Sequence, residues 1–308
     1  MLEKAGMLSL TAGAGGGIWM FTSILAVSGA LTELWAVPVF LRFARQHDLT
    51  DVNYKGEPVP TAAGLVLWGL MVAGYAAGRS LLSAQELGQA ADFVVAASAV
   101  AAAGLLDDLI GQRHIKGLTA HLGGWLRSRS LTTGLCKIAA AGGGALLLLL
   151  PQAVGGSRPL LLIPMQALLI MLATNAVNLL DVRPGRAGKS FLLLILASAV
   201  AYAAKGGAGI QENGLWLAGL WPVTIGAGVL LLPDLRRRLM LGDTGANLLG
   251  FTAGTAVTLA ASPLYQGLFC LVLLLLHLYT LRYSLTAVIE RNRLLNWLDE
   301  FGRPRERA

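Results

Sequence analysis

The sequence predicts an all-α, polytopic membrane helical bundle with about nine transmembrane helices. Three observations predict it. Of 308 residues, 55% are hydrophobic and 13% are charged, whereas a soluble domain carries about 25% charged residues. Mean hydropathy is +0.64. The apolar residues fall in runs of roughly 20, the length that crosses a hydrocarbon core, and lipid leaves such a run no option but helix.

The spans read, in order, 16–41, 61–82, 89–110, 132–154, 159–180, 190–206, 213–233, 244–262 and 264–283. The first runs past Trp35 without a convincing cleavage site, so it reads as a span and not as a signal peptide. The third ends at Asp107-Asp108 and the fifth at Asp181, while Asp243 opens the eighth. The fourth holds "AAAGGGALLLLL", a small-residue composition suited to close helix packing in lipid. Cys136 and Cys270 fall within apolar runs, with no metal spacing and no disulfide framework. Residues 1–283 form one membrane domain. The tail, 284–308, mixes apolar and charged residues and reads as a cytoplasmic, interfacial segment.

Charge placement orients the bundle. Arg42, Arg45 and Lys55 follow the first span; Arg113, Lys116, Arg127 and Arg129 follow the third; Arg183, Arg186 and Lys189 follow the fifth; Arg236, Arg237 and Arg238 follow the seventh; the tail, from Arg282 at the end of the ninth, holds six. The alternate segments hold only Lys4, Arg79, Arg158 and Lys205. The positive-inside rule then places the N-terminus outside and the C-terminus in the cytoplasm. The net charge of +7 is a topology signal and implies no nucleic acid.

The chemistry lies in acids at span edges. Asp107, Asp108, Asp181 and Asp243 are all predicted at the cytoplasmic ends. A carboxylate at helix depth costs about 2.5–3.5 kcal/mol on insertion scales and marks a site by default. One such Asp is ordinarily a helix cap; four on one side, among Gly, Asn and Thr, point to a cluster. Gathered carboxylates repel, and a hard cation such as Mg²⁺ relieves that, with phosphate as its partner. Asn175 and Asn178 lie near Asp181, one helical turn apart. Lys137, just inside a span, is a candidate phosphate contact; snorkelling to the interface is its plainer reading. "GRAGKS" (185–190) looks like the end of a P-loop, but the position needing the first Gly is Arg183, so the pattern fails.

Four segments together resemble the polyprenyl-phosphate N-acetylhexosamine-1-phosphate transferases (glycosyltransferase family 4), as a divergent member. "GEPVPTAAGL" (56–65), containing Thr61, resembles the family's Pro-Thr-x-Gly-Gly segment. "LLDDLIG" (105–111) resembles its Asp-Asp motif, and "NAVNLLD" (175–181) its Asn-x-x-Asn-x-x-Asp motif. "LGDTGANLLG" (241–250) resembles its Gly-Asp-Ser/Thr-Gly-Ser motif.

That resemblance implies Mg²⁺ on Asp243, with Asp181, and Asp107 and Asp108 contacting or activating a lipid phosphate. It implies sugar-1-phosphate transfer from a UDP-sugar to undecaprenyl phosphate, with UMP released, for cell-envelope glycans at a bacterial inner membrane. Whether an Asp acts as base or forms a covalent intermediate stays open, as do the sugar, the base and dimerisation. Phosphate-binding candidates are Lys116, Lys137, Arg183, Arg291 and Arg293, beside Asn175, Asn178 and Thr61.

The chain departs from the family at Asp181-Val182-Arg183-Pro184-Gly185, where the family has Asp-Gly-x-Asp-Gly, and it lacks the family's His-rich loop after the ninth span. These departures motivate an alternative: a non-enzymatic homologue that binds polyprenyl phosphate in envelope assembly.

Overall fold

The computed structural model describes residues 23–24, 26–80, 84–110, 133–204 and 214–304. Among these residues eleven helices follow one another: α1 (Ala26–Gln46), α2 (Gly64–Gly78), α3 (Ala84–Ile110), α4 (Thr133–Val154), α5 (Ile163–Leu180), α6 (Arg186–Ala204), α7 (Trp221–Leu235), α8 (Gly242–Ala260), α9 (Pro263–Thr280), α10 (Leu285–Arg291) and α11 (Arg293–Glu300). Between α1 and α2 lies a hairpin that the span reading passes over, β1 (Thr50–Val52) antiparallel to β2 (Pro58–Pro60). Its turn is built by Asn53, whose side-chain oxygen accepts the Lys55 and Glu57 N–H groups, and by Gly56 at φ +83°, a conformation that favours glycine.

Among the described residues, seven helices are long and apolar enough to cross a membrane, so the chain is a polytopic membrane bundle. The two remaining predicted spans differ from their expected form. α2 covers Gly64–Gly78, 15 residues, about 22 Å of rise; at its start Thr61 and Ala63 donate their N–H groups to Leu49 O and Met240 O instead of to a helix. α8 has full length but moderate apolarity. It tolerates this because it touches little lipid: 16 of its 19 residues are buried, packed among α2, α3, α5 and α6.

α8 is the hub because its residues are small and two of its buried hydroxyls are satisfied within it. Thr252 donates to Leu248 O at 2.7 Å and Thr258 to Thr255 O at 2.8 Å. Its glycines let neighbours close in. A Cβ on Gly250 would stand 2.5 Å from Thr174 Cα in α5, and one on Gly254 would stand 2.8 Å from Ile170 Cα. Such approach drives helix association where lipid supplies no hydrophobic force.

The tail forms two short helices. Asn292 separates them and caps α11 with its side chain, accepting the Leu294 and Leu295 N–H groups. The sixth span starts at Arg186, four residues earlier than expected, because "RAGK" is already helical.

Candidate active site

Backbone bonds bring the start of α8 to the chain leading into α2. Ala63 N donates to Met240 O and Gly64 N to Leu241 O, both at 3.1 Å, while Met240 N donates to Pro60 O at 2.8 Å. Thr61 is buried in this joint and donates its backbone N–H to Leu49 O. The end of α3 arrives at the same point. Gly104 lets it in, since a Cβ there would meet Asp243 O at 2.5 Å.

Asp108 then caps α8 from outside its own helix. Its Oδ1 accepts Asp243 N at 2.8 Å, and its Oδ2 accepts Thr244 N at 2.9 Å and the Thr244 hydroxyl at 2.5 Å. A carboxylate at a helix N-terminus satisfies orphan donors and meets the positive end of the dipole. α8 starts with no side-chain cap of its own.

Asp107, one residue earlier, faces elsewhere. It is paired with Lys137 of α4, whose Nζ also lies 2.5 Å from Asp243 Oδ2. Two carboxylates from distant helices thus converge on a single cation, all three side chains partly open to the outside.

Asp181 follows α5, its N–H donating to Asn178 O. Burial first, then the charges of Asp234, Asp243 and Asp108, push its carboxyl well above the ordinary range. Its charge is thus opposed by Asp234, Asp243 and Asp108. Asn175 is exposed and Asn178 half-buried on the same helix end.

Asp234 was not singled out by sequence reasoning, because an Asp after Pro233 at a span end reads as span termination. It is buried at the end of α7 and accepts Gly185 N at 2.8 Å, immediately after Pro184.

The family model for glycosyl transferase family 4 matches residues 91–261, more than half of the chain. The chain belongs to glycosyl transferase family 4. The match runs from within α3 to the residue after α8. It therefore contains Asp107, Asp108, Lys137, Asp181, Asp234 and Asp243, and leaves out Thr61, Arg291 and Arg293. No curated protein matches the chain. Membership supports a phosphosugar transferase kind of enzyme acting on lipid-linked sugars in a membrane.

The other candidates are dispersed. Lys116 lies outside the described residues. Arg183 is occupied: it pairs with Glu290 and lies 5.5 Å from the Tyr54 ring centroid. Arg291 and Arg293 are exposed on α10 and α11.

The "GRAGKS" loop is committed to the tail. Arg186 grips Asp299 through Nε at 2.9 Å and Nη2 at 2.7 Å. Lys189 Nζ donates to the carbonyls of Leu298, Asp299 and Phe301, capping the C-terminal end of α11 with a cation.

Among the described residues no three acidic, His or Cys side chains form a ready-made metal cage. The donor set nevertheless suits Mg²⁺, which is held by one or two carboxylates plus substrate phosphates. Lys137 Nζ stands where Asp107 and Asp243 already focus on one positive charge.

Proposed function

We propose that this family 4 transferase moves a sugar-1-phosphate, of the N-acetylhexosamine class, from a UDP-sugar to undecaprenyl phosphate. UMP leaves, on the cytoplasmic face of a bacterial inner membrane, in cell-envelope glycan synthesis. The observation that carries this reading is the meeting of Asp107 and Asp243 at Lys137, with Asp181 in the same field.

Asp243 and Asp181 would hold Mg²⁺, which supplies positive charge to the pyrophosphate oxygens. A lipid-phosphate oxygen bonds to the β-phosphorus. The bond from that phosphorus to the bridging oxygen breaks, and its electron pair leaves with UMP. Lys137 donates to the phosphate oxygens and balances their charge. Asp107, paired with Lys137, sets where that ammonium points. Asp108 holds Asp243 in place by capping α8. The basic loops predicted on this side of the membrane would favour approach of anionic reactants.

The protein, purified with undecaprenyl phosphate and a panel of UDP-N-acetylhexosamines, should release UMP in a Mg²⁺-dependent way, and Asp243→Asn should abolish it. Absence of turnover across the panel sinks the proposal. A specific observation favours the alternative, a lipid-phosphate-binding homologue without catalysis: the loop that departs from the family at Pro184 is clasped by the tail, Arg303 Nε donating to Pro184 O at 3.0 Å. That reading predicts polyprenyl-phosphate binding that survives removal of Mg²⁺ and yields no UMP.

A further inference from the structure

The tail is pinned to the ends of two membrane spans. α10 starts five residues after α9 ends at Thr280, a distance of at most about 18 Å. α11 is held by Arg186, the first residue of α6. A helix tethered at two span ends lies at the level of the headgroups.

Its faces agree with that depth. Leu294, Trp297, Leu298 and Phe301, spaced i, i+3, i+4 and i+7, share one side of α11 and are each at least 40% exposed. Asp299 points away from that side into the protein and is buried. Asn296 and Glu300 occupy the third side. Among the described residues, Arg291 and Arg293 at the α10–α11 junction pair with no acid. Glu290 is taken by Arg183, and Asp299 by Arg186 and Arg303. Two outward arginines against one outward acid, Glu300, leave the charge beside the apolar face net positive.

We propose that α11 is an interfacial strap that binds anionic phospholipid headgroups and fastens the 183–189 loop to the membrane surface through Asp299. Trp297 and Phe301 enter the headgroup–acyl boundary, and Arg291 and Arg293 meet lipid phosphates. Lipid binding then orders α11, and Asp299 and the α11 carbonyls pass that order to Arg186 and Lys189. The departure at Pro184 fits this design, since Arg303 of the tail holds its carbonyl.

The test needs no turnover and so stands apart from the transferase reading. Full-length protein is placed in nanodiscs of phosphatidylcholine alone, or of phosphatidylcholine with phosphatidylglycerol, and amide hydrogen exchange is followed. Exchange over 293–301 should slow by about tenfold in the anionic discs, with 183–189 following. The Arg291→Gln/Arg293→Gln double variant should lose the difference between lipids. Trp297→Glu, at an exposed position, should speed exchange of α11 in both lipids while α8 stays protected. Equal exchange in the two lipids overturns the proposal. So does protection that appears only in discs holding two copies, because the apolar face would then be an interface between copies.

Discussion

Asp108, in the last turn of α3, accepts the Asp243 N–H at 2.8 Å, so the carboxylate of one helix fixes the start of another 135 residues later in the chain. Its other oxygen holds Thr244. Both oxygens are used, which gives Asp108 a positioning role toward Asp243. Asp108→Ala should cost about 1–3 kcal/mol, the range for leaving donors unsatisfied. Asp108→Asn, which keeps one acceptor oxygen, should cost less. Thermal unfolding in detergent and exchange at the Asp243 and Thr244 amides check the order. Equal stability of Asp108→Ala and the parent would remove the cap from the account.

Lys137 is the charge that lets Asp107 and Asp243 stand together. Lys137→Gln keeps a hydrogen-bond donor on a slightly shorter side chain but removes the cation. Turnover should fall by about 10²–10³, the loss seen when one preorganised donor is removed from a transition-state site. The Mg²⁺ concentration at half-maximal activity should also change, since two carboxylates lose their internal counter-charge. A Mg²⁺ titration of the variant reads both effects. Unchanged kinetics would leave Lys137 as a snorkelling residue.

Close packing of α8 on α5 predicts a paired result at two glycines. Gly250→Ala places a methyl 2.5 Å from Thr174 Cα, a backbone atom that cannot step aside. It should destabilise by about 1–3 kcal/mol or more, as overpacking does. Gly69→Ala in α2 meets nothing within 4 Å and should stabilise by about 1 kcal/mol through helix propensity. Melting temperatures moving in the same direction would contradict the packing.

Ala62 sits at φ +61°, in the joint between β2 and α2 that touches the start of α8. A Cβ is disfavoured in that conformation, so Ala62→Gly should stabilise by up to about 1 kcal/mol, despite glycine's greater freedom in the unfolded chain. Denaturation in detergent measures this. A destabilised variant would show that the Ala62 methyl, fully buried, matters more through packing than through strain.

Much of this architecture was readable from spacing. Lengths of apolar run give the helices, and the span edges that carry Asp107, Asp108 and Asp243 gather at one end of the bundle. The hub role of α8 was not readable. Its Thr and Gly residues lower its apolarity, and only the facing helices reveal that those residues are buried. Nor was the fate of the 183–189 loop. A run of Arg and Lys shows charge but not partner, and Asp299 and Glu290 lie more than 100 residues away. Asp234 was silent because an Asp after Pro233 at the end of an apolar run reads as span termination. The hairpin left a usable signal in Asn53 and Gly56, a turn pair between short β-prone segments, but the length of span on either side dominated the reading.

The tail provides the pH test. Burial of Asp299 opposes its charge. The hydrogen bonds and charges of Arg186 and Arg303 outweigh that and hold its carboxyl below the ordinary value. A depressed folded value means that docking is strongest above the unfolded carboxylate range, near 3.9. The contribution is lost as pH falls through the lower, folded value. Tail docking should therefore be constant from neutral pH down to about 4, then weaken. Exchange at residues 295–303 as pH is lowered, corrected for intrinsic rates, follows the loss. Asp299→Asn should remove the acid transition and expose 183–189 at neutral pH. It leaves the buried Arg186 without its counter-charge, at a cost of about 3–5 kcal/mol. A tail that loosens already between pH 7 and 5 would mean that some other group, and not the Arg186–Asp299 pair, holds it down.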